Sequence, residues 1–221
     1  MRRILLPSLV WMLLLSQRMP AASKSHAVFF GKSMAVKLLP GSDESRAVPV
    51  KVRPLYVDGR MKEFTIGEAH DVTDRQFVVQ RIFRMNDSLP GDDPPVPRWR
   101  WQRGGWLLVD RTSGRVSPLR LPDFDAVYSE AAWYRDYAAY CGIPENADKL
   151  YAVVAQLGSR KPVLHSPLQS IGGAGPEAAC GRPVWQRAPA RVTFELPDSR
   201  KSTFEIHGHA ADLAPPEEDE N

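Results

Sequence analysis

No apolar run in this 221-residue chain is long enough to cross a hydrocarbon core, which takes about 20 residues. The longest, "ILLPSLVWMLLL" from Ile4 to Leu15, is interrupted by Pro7, so no integral membrane segment is expected once a leader is removed. Cysteine is nearly absent: Cys141 and Cys180 stand far apart, and a thiol-redox enzyme would want the close C-x-x-C spacing. Catalytic signatures are missing as well. There is no G-x-S-x-G and no H-E-x-x-H, and "IGGAG" lacks the Lys-[Ser/Thr] of a phosphate-binding loop. The sequence therefore calls for no cofactor and favours a non-enzymatic role.

What is present begins with an export signal. Arg2 and Arg3 precede the apolar run, and small residues follow in "SQRMPAASKSHA", the three parts of a secretory signal peptide. Residues 1–27 are read as that leader, with a cut after Ala27, or near Ala22 or Ser23. No cysteine sits near the cut to take a lipid anchor. The leader carries Arg2, Arg3, Arg18 and Lys24, so the 29 basic residues less these four leave 25 against 26 acidic. A chain this close to neutral argues against nucleic acid as a partner, which demands a surplus of Lys and Arg on one face. Expected instead is an envelope protein or a glycan, met in the periplasm or outside the cell. In that oxidising setting Cys141 and Cys180 are expected to pair.

The periodicity of the mature chain is mostly two. "VFFGKSMAVKLL" offers a strand or strand pair around Gly31, and Val50 to Val57 alternates up to Asp58-Gly59, a strong two-residue hairpin signal. Pro54 places that strand on an edge or at a bulge. "RQFVVQRIFRM" alternates again, with one face the more apolar. "WLLVDRTSGRVSPLRL" reads as a hairpin turning at Thr112 to Gly114, "KLYAVVAQL" as a buried strand, and Asp198-Ser199 as the centre of a last hairpin. "YSEAAWYRDYAAYCG" fits helix or strand, and the neighbouring strands favour strand. The fold class is all-β, mostly antiparallel hairpins forming a β-sandwich or a propeller-like or barrel-like domain. A single domain spans 28–213, with a sub-boundary in the proline-rich loop 86–97 and a disordered acidic tail at 214–221.

From Gly105 to about Leu157 the order is aromatic, apolar strand, "DRTSG", strand, aromatic-rich strand, polar turn "PENAD" and "KLYAVVAQL". This resembles a blade of a β-propeller, whose D-x-x-[Ser/Thr]-G outer turn precedes a strand. No repeat at the period of such arrays is found elsewhere in the chain. With "VDGRMKEFT", "AHDVTDRQFVV", "PRWRWQRGGWLLVD" and "WYRDYAAYCG", the wider chain is similar to a group of exported bacterial β-proteins without assigned function. That resemblance implies secretion and a compact β domain, and carries no catalytic residue across.

Three constellations could do chemistry. "RWRWQRGGW" gathers Trp99, Trp101, Arg103 and Trp106 on one face if Gly104-Gly105 is a hairpin turn; if the glycines bulge one long strand, the cluster is expected to divide between two faces. A shared face would be core, a platform for sugar or aromatic ligands, or a partner-protein patch. His207 and His209 alternate and could turn two imidazoles to one cation. "EAHDVTD" brings Glu68, His70, Asp71 and Asp74 together as a candidate acid–base set for a hydrolase with a dispersed site, though such loops more often satisfy backbone donors.

Overall fold

The computed structural model describes residues 25–38, 47–86, 88, 99–144, 149–170, 180–196 and 198–213. Most of the leader, the interior of the 86–97 loop, most of "PENAD", the "IGGAG" loop and the acidic tail lie outside the described residues. Among those described, every regular element is a strand: β1 (Val28–Phe30), β2 (Met34–Leu38), β3 (Val48–Val57), β4 (Arg60–Asp71), β5 (Gln76–Asn86), β6 (Trp99–Asp110), β7 (Val116–Leu119), β8 (Ala132–Tyr134), β9 (Tyr137–Gly142), β10 (Lys149–Gln156), β11 (Leu164–Ser170), β12 (Val184–Gln186), β13 (Arg191–Glu195), β14 (Lys201–His207) and β15 (Ala210–Leu213). The all-β class is as the periodicity predicts.

The first sheet is a meander that nearly rolls into a ring. Successive antiparallel pairs join β2 to β3, β3 to β4, β4 to β5 and β5 to β6, and one parallel pair, Leu38 with Trp101, links β6 back to β2. The β3–β4 turn is the one that Asp58-Gly59 announces: both residues have positive φ, 51° and 73°, and Val57 faces Arg60 across them. β1 and β2 lie along the same edge of β3 and are separated at Pro54. The Pro54 carbonyl accepts from the Gly31 amide at 2.8 Å on that edge, so the N–H that proline lacks is missing there too and the ladder breaks.

The second sheet, β8 to β11, and the third, β12 to β15, are four-stranded antiparallel meanders. Together the three sheets form layers with the second in the middle. One parity of its central strands, Ala138, Tyr140, Val153 and Ala155, packs against Val78 and Trp106 of the first sheet. The other parity, Ala139, Cys141, Ala152 and Val154, packs against Val192, Phe194, Phe204 and Ile206 of the third. Burial on both faces explains why β9 and β10 read as continuous apolar runs rather than alternating ones. The alanines among these positions let the layers approach closely. The ambiguous segment around Trp133 is thus a tight hairpin, β8 turning into β9 at Arg135 with φ 51°.

Two expectations change in the structure. "RQFVVQRIFRM" has no single apolar face at its start: Phe77 and Val79 bury against Leu55, Leu107 and Val109, while Val78 buries against the second sheet. A strand central to its own sheet and covered on both sides loses its alternation. The blade-like stretch 105–157 does not form one sheet. β7 pairs with β6 in the first sheet, and β8 to β10 belong to the second. Its "DRTSG" turn is nonetheless well made: Asp110 Oδ1 accepts from the amides of Thr112 and Ser113, each at 2.8 Å, and the Ser113 amide above all holds that carboxyl below its usual pKa.

Gly114 closes this turn at φ 65°, and a Cβ there would stand 2.8 Å from Val57 Cγ1 and 2.9 Å from His26 Cγ. Gly114→Ala is expected to lose about 2–4 kcal/mol, from positive φ and from crowding together. Gly59→Ala, at φ 73° with nothing within 4 Å, isolates the first effect and should cost about 1 kcal/mol. Urea midpoints of the two variants check the difference.

Candidate functional site

The tryptophan segment is one uninterrupted strand, and its two glycines form a bulge. Arg103 faces Ile82 and Trp106 faces Gln80, so β6 carries one residue more than β5, and Gly104 and Gly105 together oppose Arg81. Simple alternation would send Trp106 to the face opposite Trp101 and Arg103. The extra residue returns it to their face, so the bulge assembles the cluster that the sequence reading expects it to divide. The glycines are not equivalent. A Cβ on Gly104 would lie 3.3 Å from Arg81 Cβ and from a ring carbon of Phe83, whereas one on Gly105 would meet nothing within 4 Å.

Sharing a face does not make these side chains a flat platform, because burial deepens along the strand. Trp99 is 57% exposed, Trp101 is partly buried edge-on against Phe64 at 5.2 Å, and Trp106 is 8% exposed. The arginine that sits over the first two comes from the neighbouring strand: Arg84 lies 5.3 Å from the Trp99 ring and 5.6 Å from that of Trp101. Arg103 instead reaches Glu130 at 3.4 Å. Trp106 meets Trp133 of β8 edge-on at 5.2 Å, and Trp133 in turn stacks on His70 at 6.0 Å. This aromatic chain is the seam between the first and second sheets.

A cavity lies on either side of the seam. The smaller, about 390 Å³, is bordered by Arg103, Trp106, Glu68, Glu130 and Arg182, so its charges are balanced. The larger is a groove of about 820 Å³ between the irregular segment that follows β7 and the turn that joins β10 to β11. Its floor is Leu119, Leu121, Phe124, Trp133 and Leu157, Gly105 opens onto it, and Arg120, Arg160 and Lys161 stand at its rim. The β10–β11 turn is shaped by Gly158 at φ 80° and by Ser159, whose hydroxyl donates to the Lys161 carbonyl at 2.8 Å. Below it, the Leu157 amide donates to the Asp136 carbonyl at 2.9 Å, tying the turn to the β8–β9 hairpin. Trp133 Nε1 and Gln156 Oε1 are buried without a partner, while Gln156 Nε2 donates to Asp136 at 2.9 Å.

The other candidate residues are distributed. His70 bonds the Arg135 carbonyl at 2.7 Å, Asp71 holds Arg111 at 2.6 Å, Glu68 lies 3.3 Å from Arg53, and the Asp74 carbonyl accepts weakly from Arg111 at 3.5 Å. Thr73 Oγ1 accepts from the amides of Arg75 and Gln76. These groups are engaged with neighbouring elements and with the β4–β5 turn rather than gathered into an acid–base set. His207 ends β14, and Gly208 and His209 form the two-residue turn to β15, with His207 opposite Ala210. The two imidazoles therefore do not alternate on one strand, and His207 lies 3.5 Å from Glu205. His165, on β11, is 2.9 Å from Asp123 and stacks on Tyr151. Among the described residues no three His, Cys, Asp or Glu side chains group to hold a metal ion. Tyr140 is wholly buried and donates to the Pro122 carbonyl at 2.6 Å, and burial pushes its phenol far above the usual range.

Cys141 and Cys180 form a disulfide with their Cα atoms 6.1 Å apart, the pairing expected from the sequence. Comparison with protein-family models and with curated proteins gives no match to this chain. The likeness to a propeller blade and to exported bacterial β-proteins gains no support from that comparison, and what can be said of function rests on the geometry.

Proposed function

We propose that the protein is an exported binding protein of the periplasm or cell envelope, and that it holds its ligand in the groove beside Trp133. The observation that carries this reading is the groove itself: about 820 Å³, within the range of small-molecule sites, with an apolar floor and a polar rim. The acid–base candidates His70 and Asp71, engaged with Arg135 and Arg111, support binding over catalysis. Export is supported by the leader and by the disulfide, a bond at home in an oxidising compartment.

The same reading favours the upstream of the two cuts. His26 Nδ1 lies 2.7 Å from Asp58, the Ala27 amide donates to the same carboxylate at 3.0 Å, and the Asp58 amide donates to the Ala27 carbonyl at 2.9 Å. A cut after Ala27 would delete these contacts, and one near Ala22 or Ser23 keeps them. Intact mass of the exported protein should show His26 and Ala27 retained; a product beginning at Val28 would refute this choice, and an uncleaved cytoplasmic protein would refute export.

Binding is tested by titrating the mature protein with glycan, peptide and amphiphile panels while following tryptophan emission. A saturable change that disappears in Trp133→Phe is expected from one class. Silence across all three would sink the groove.

A further inference from the structure

We infer that the groove takes a single-chain anionic amphiphile, with its apolar body along Leu121, Phe124 and Trp133 and its anionic head at Arg120, Arg160 and Lys161. The inference rests on the binding role proposed above and names the class of ligand. Two observations lead to it, and neither involves the tryptophan motif of β6.

The first is charge. The lining holds three cations and no carboxylate. Arg120, Arg160 and Lys161 are all exposed, and among the described residues none of their side chains makes an ion pair or hydrogen bond, although the protein elsewhere pairs its arginines freely, as at Arg53, Arg81, Arg111 and Arg191. Unneutralised like charges around one concavity favour an anion, and low-dielectric walls strengthen the attraction. The smaller cavity across the seam, with two glutamates beside its two arginines, offers no such bias.

The second is the floor. It is aliphatic and aromatic, so a compact inorganic anion would leave it in contact with water, whereas a chain or ring attached to the anion would cover it. A neutral glycan would match neither the charge nor the floor. A polyanion would need a longer basic track than this rim provides.

The test titrates the mature protein with sodium dodecanoate below its micellar concentration, alongside two probes with the same chain, dodecyl maltoside and dodecyltrimethylammonium. Arg160→Glu/Lys161→Glu reverses the rim. Gly105→Leu fills the groove without touching a charge, since a Cβ there meets nothing within 4 Å. Lys51→Glu, on β3, is the control, and unchanged melting midpoints certify folding.

Dodecanoate is expected to saturate at one equivalent, and dodecyltrimethylammonium to bind at least tenfold more weakly. The double reversal and Gly105→Leu should each weaken dodecanoate at least tenfold, and Lys51→Glu should leave it unchanged. If maltoside binds as tightly as dodecanoate, ignores the charge reversal and is lost in Gly105→Leu, the anionic class is overturned and the groove stands. If no probe binds, or if binding is indifferent to Gly105→Leu, the anionic class is overturned as well, and the wider ligand panel then decides whether the groove binds anything.

Discussion

Trp106→Ala is expected to remove about 3–5 kcal/mol of stability, enough to unfold much of a marginally stable population. The indole is 8% exposed, packs with Val78, Ala138 and Val153, and meets Trp133 edge-on at 5.2 Å, so its loss opens a cavity where two sheets touch. Trp99→Ala, at the far end of the same strand, serves as the contrast: at 57% exposure it should change stability by no more than about 0.5 kcal/mol. Trp106→Phe separates packing from hydrogen bonding. Trp106 Nε1 has no partner, so the ring loses area but no bond, and a smaller cost of about 1–2 kcal/mol is expected. Urea unfolding of the three variants gives the ranking. Equal effects of Trp106→Ala and Trp99→Ala would mean that the seam does not hold the sheets together.

Turns were the most legible feature of the sequence, because their chemistry is local. Asp58-Gly59 supplies two residues that tolerate positive φ, and the chain does reverse there. Asp110 is followed by two amides that its carboxylate can cap, and that turn forms as well. Gly104-Gly105 has the composition of a turn, yet β5 runs from Gln76 to Asn86 and offers β6 a partner along its whole length. A long neighbouring strand turns a potential reversal into a bulge, and nothing close by in the sequence announces that neighbour. Layer order was equally hidden. "AAYC" and "AVVA" look alike whether they lie under one sheet or between two, since period-two reading reports burial and not what does the burying.

The groove was harder to read than the fold. Arg120, Arg160, Lys161 and Trp133 come from three separate segments, and each has an ordinary local explanation: a cation after a strand, a basic turn, an aromatic in a hairpin. The motif that stood out chemically, "RWRWQRGGW", became mostly structure. Density of aromatics in sequence signals packing first: Trp106 is buried at the seam with the second sheet, and Trp101 packs against a separate cluster of Leu38, Val52 and Ile82. What marks the proposed site is the opposite property, cations brought together by folding and left without carboxylates. A search for Lys and Arg flanked by glycine or proline in strand-connecting turns, as in "GSRKP", would have flagged much of the rim.

Breaking the Cys141–Cys180 bond carries the second large expected effect. The cysteines are 39 residues apart, and in the chain-entropy model a closed loop of that length raises stability by about 4 kcal/mol. The bond sits where that contribution is most useful. Cys141 is on β9 in the middle layer, and Cys180 precedes the strands of the third sheet, with both residues in the core that joins the two layers. Polar links across the same interface are few and peripheral among the described residues, such as Trp185 Nε1 donating to the Ala132 carbonyl at 3.0 Å and Tyr137 donating to the Gly208 carbonyl at 2.9 Å. The Cys141→Ala/Cys180→Ala variant should therefore lose about 3–5 kcal/mol, and reductant should lower the melting midpoint of the parent protein but not of the variant. The third sheet is expected to loosen first, read as faster amide exchange in β13 and β14 than in β5 and β6. Protein recovered from a reducing cytosol should behave like the variant until it is oxidised. A parent protein whose midpoint ignores reductant, with both thiols free to alkylation, would show that the bond does not form and would remove the disulfide from the case for export.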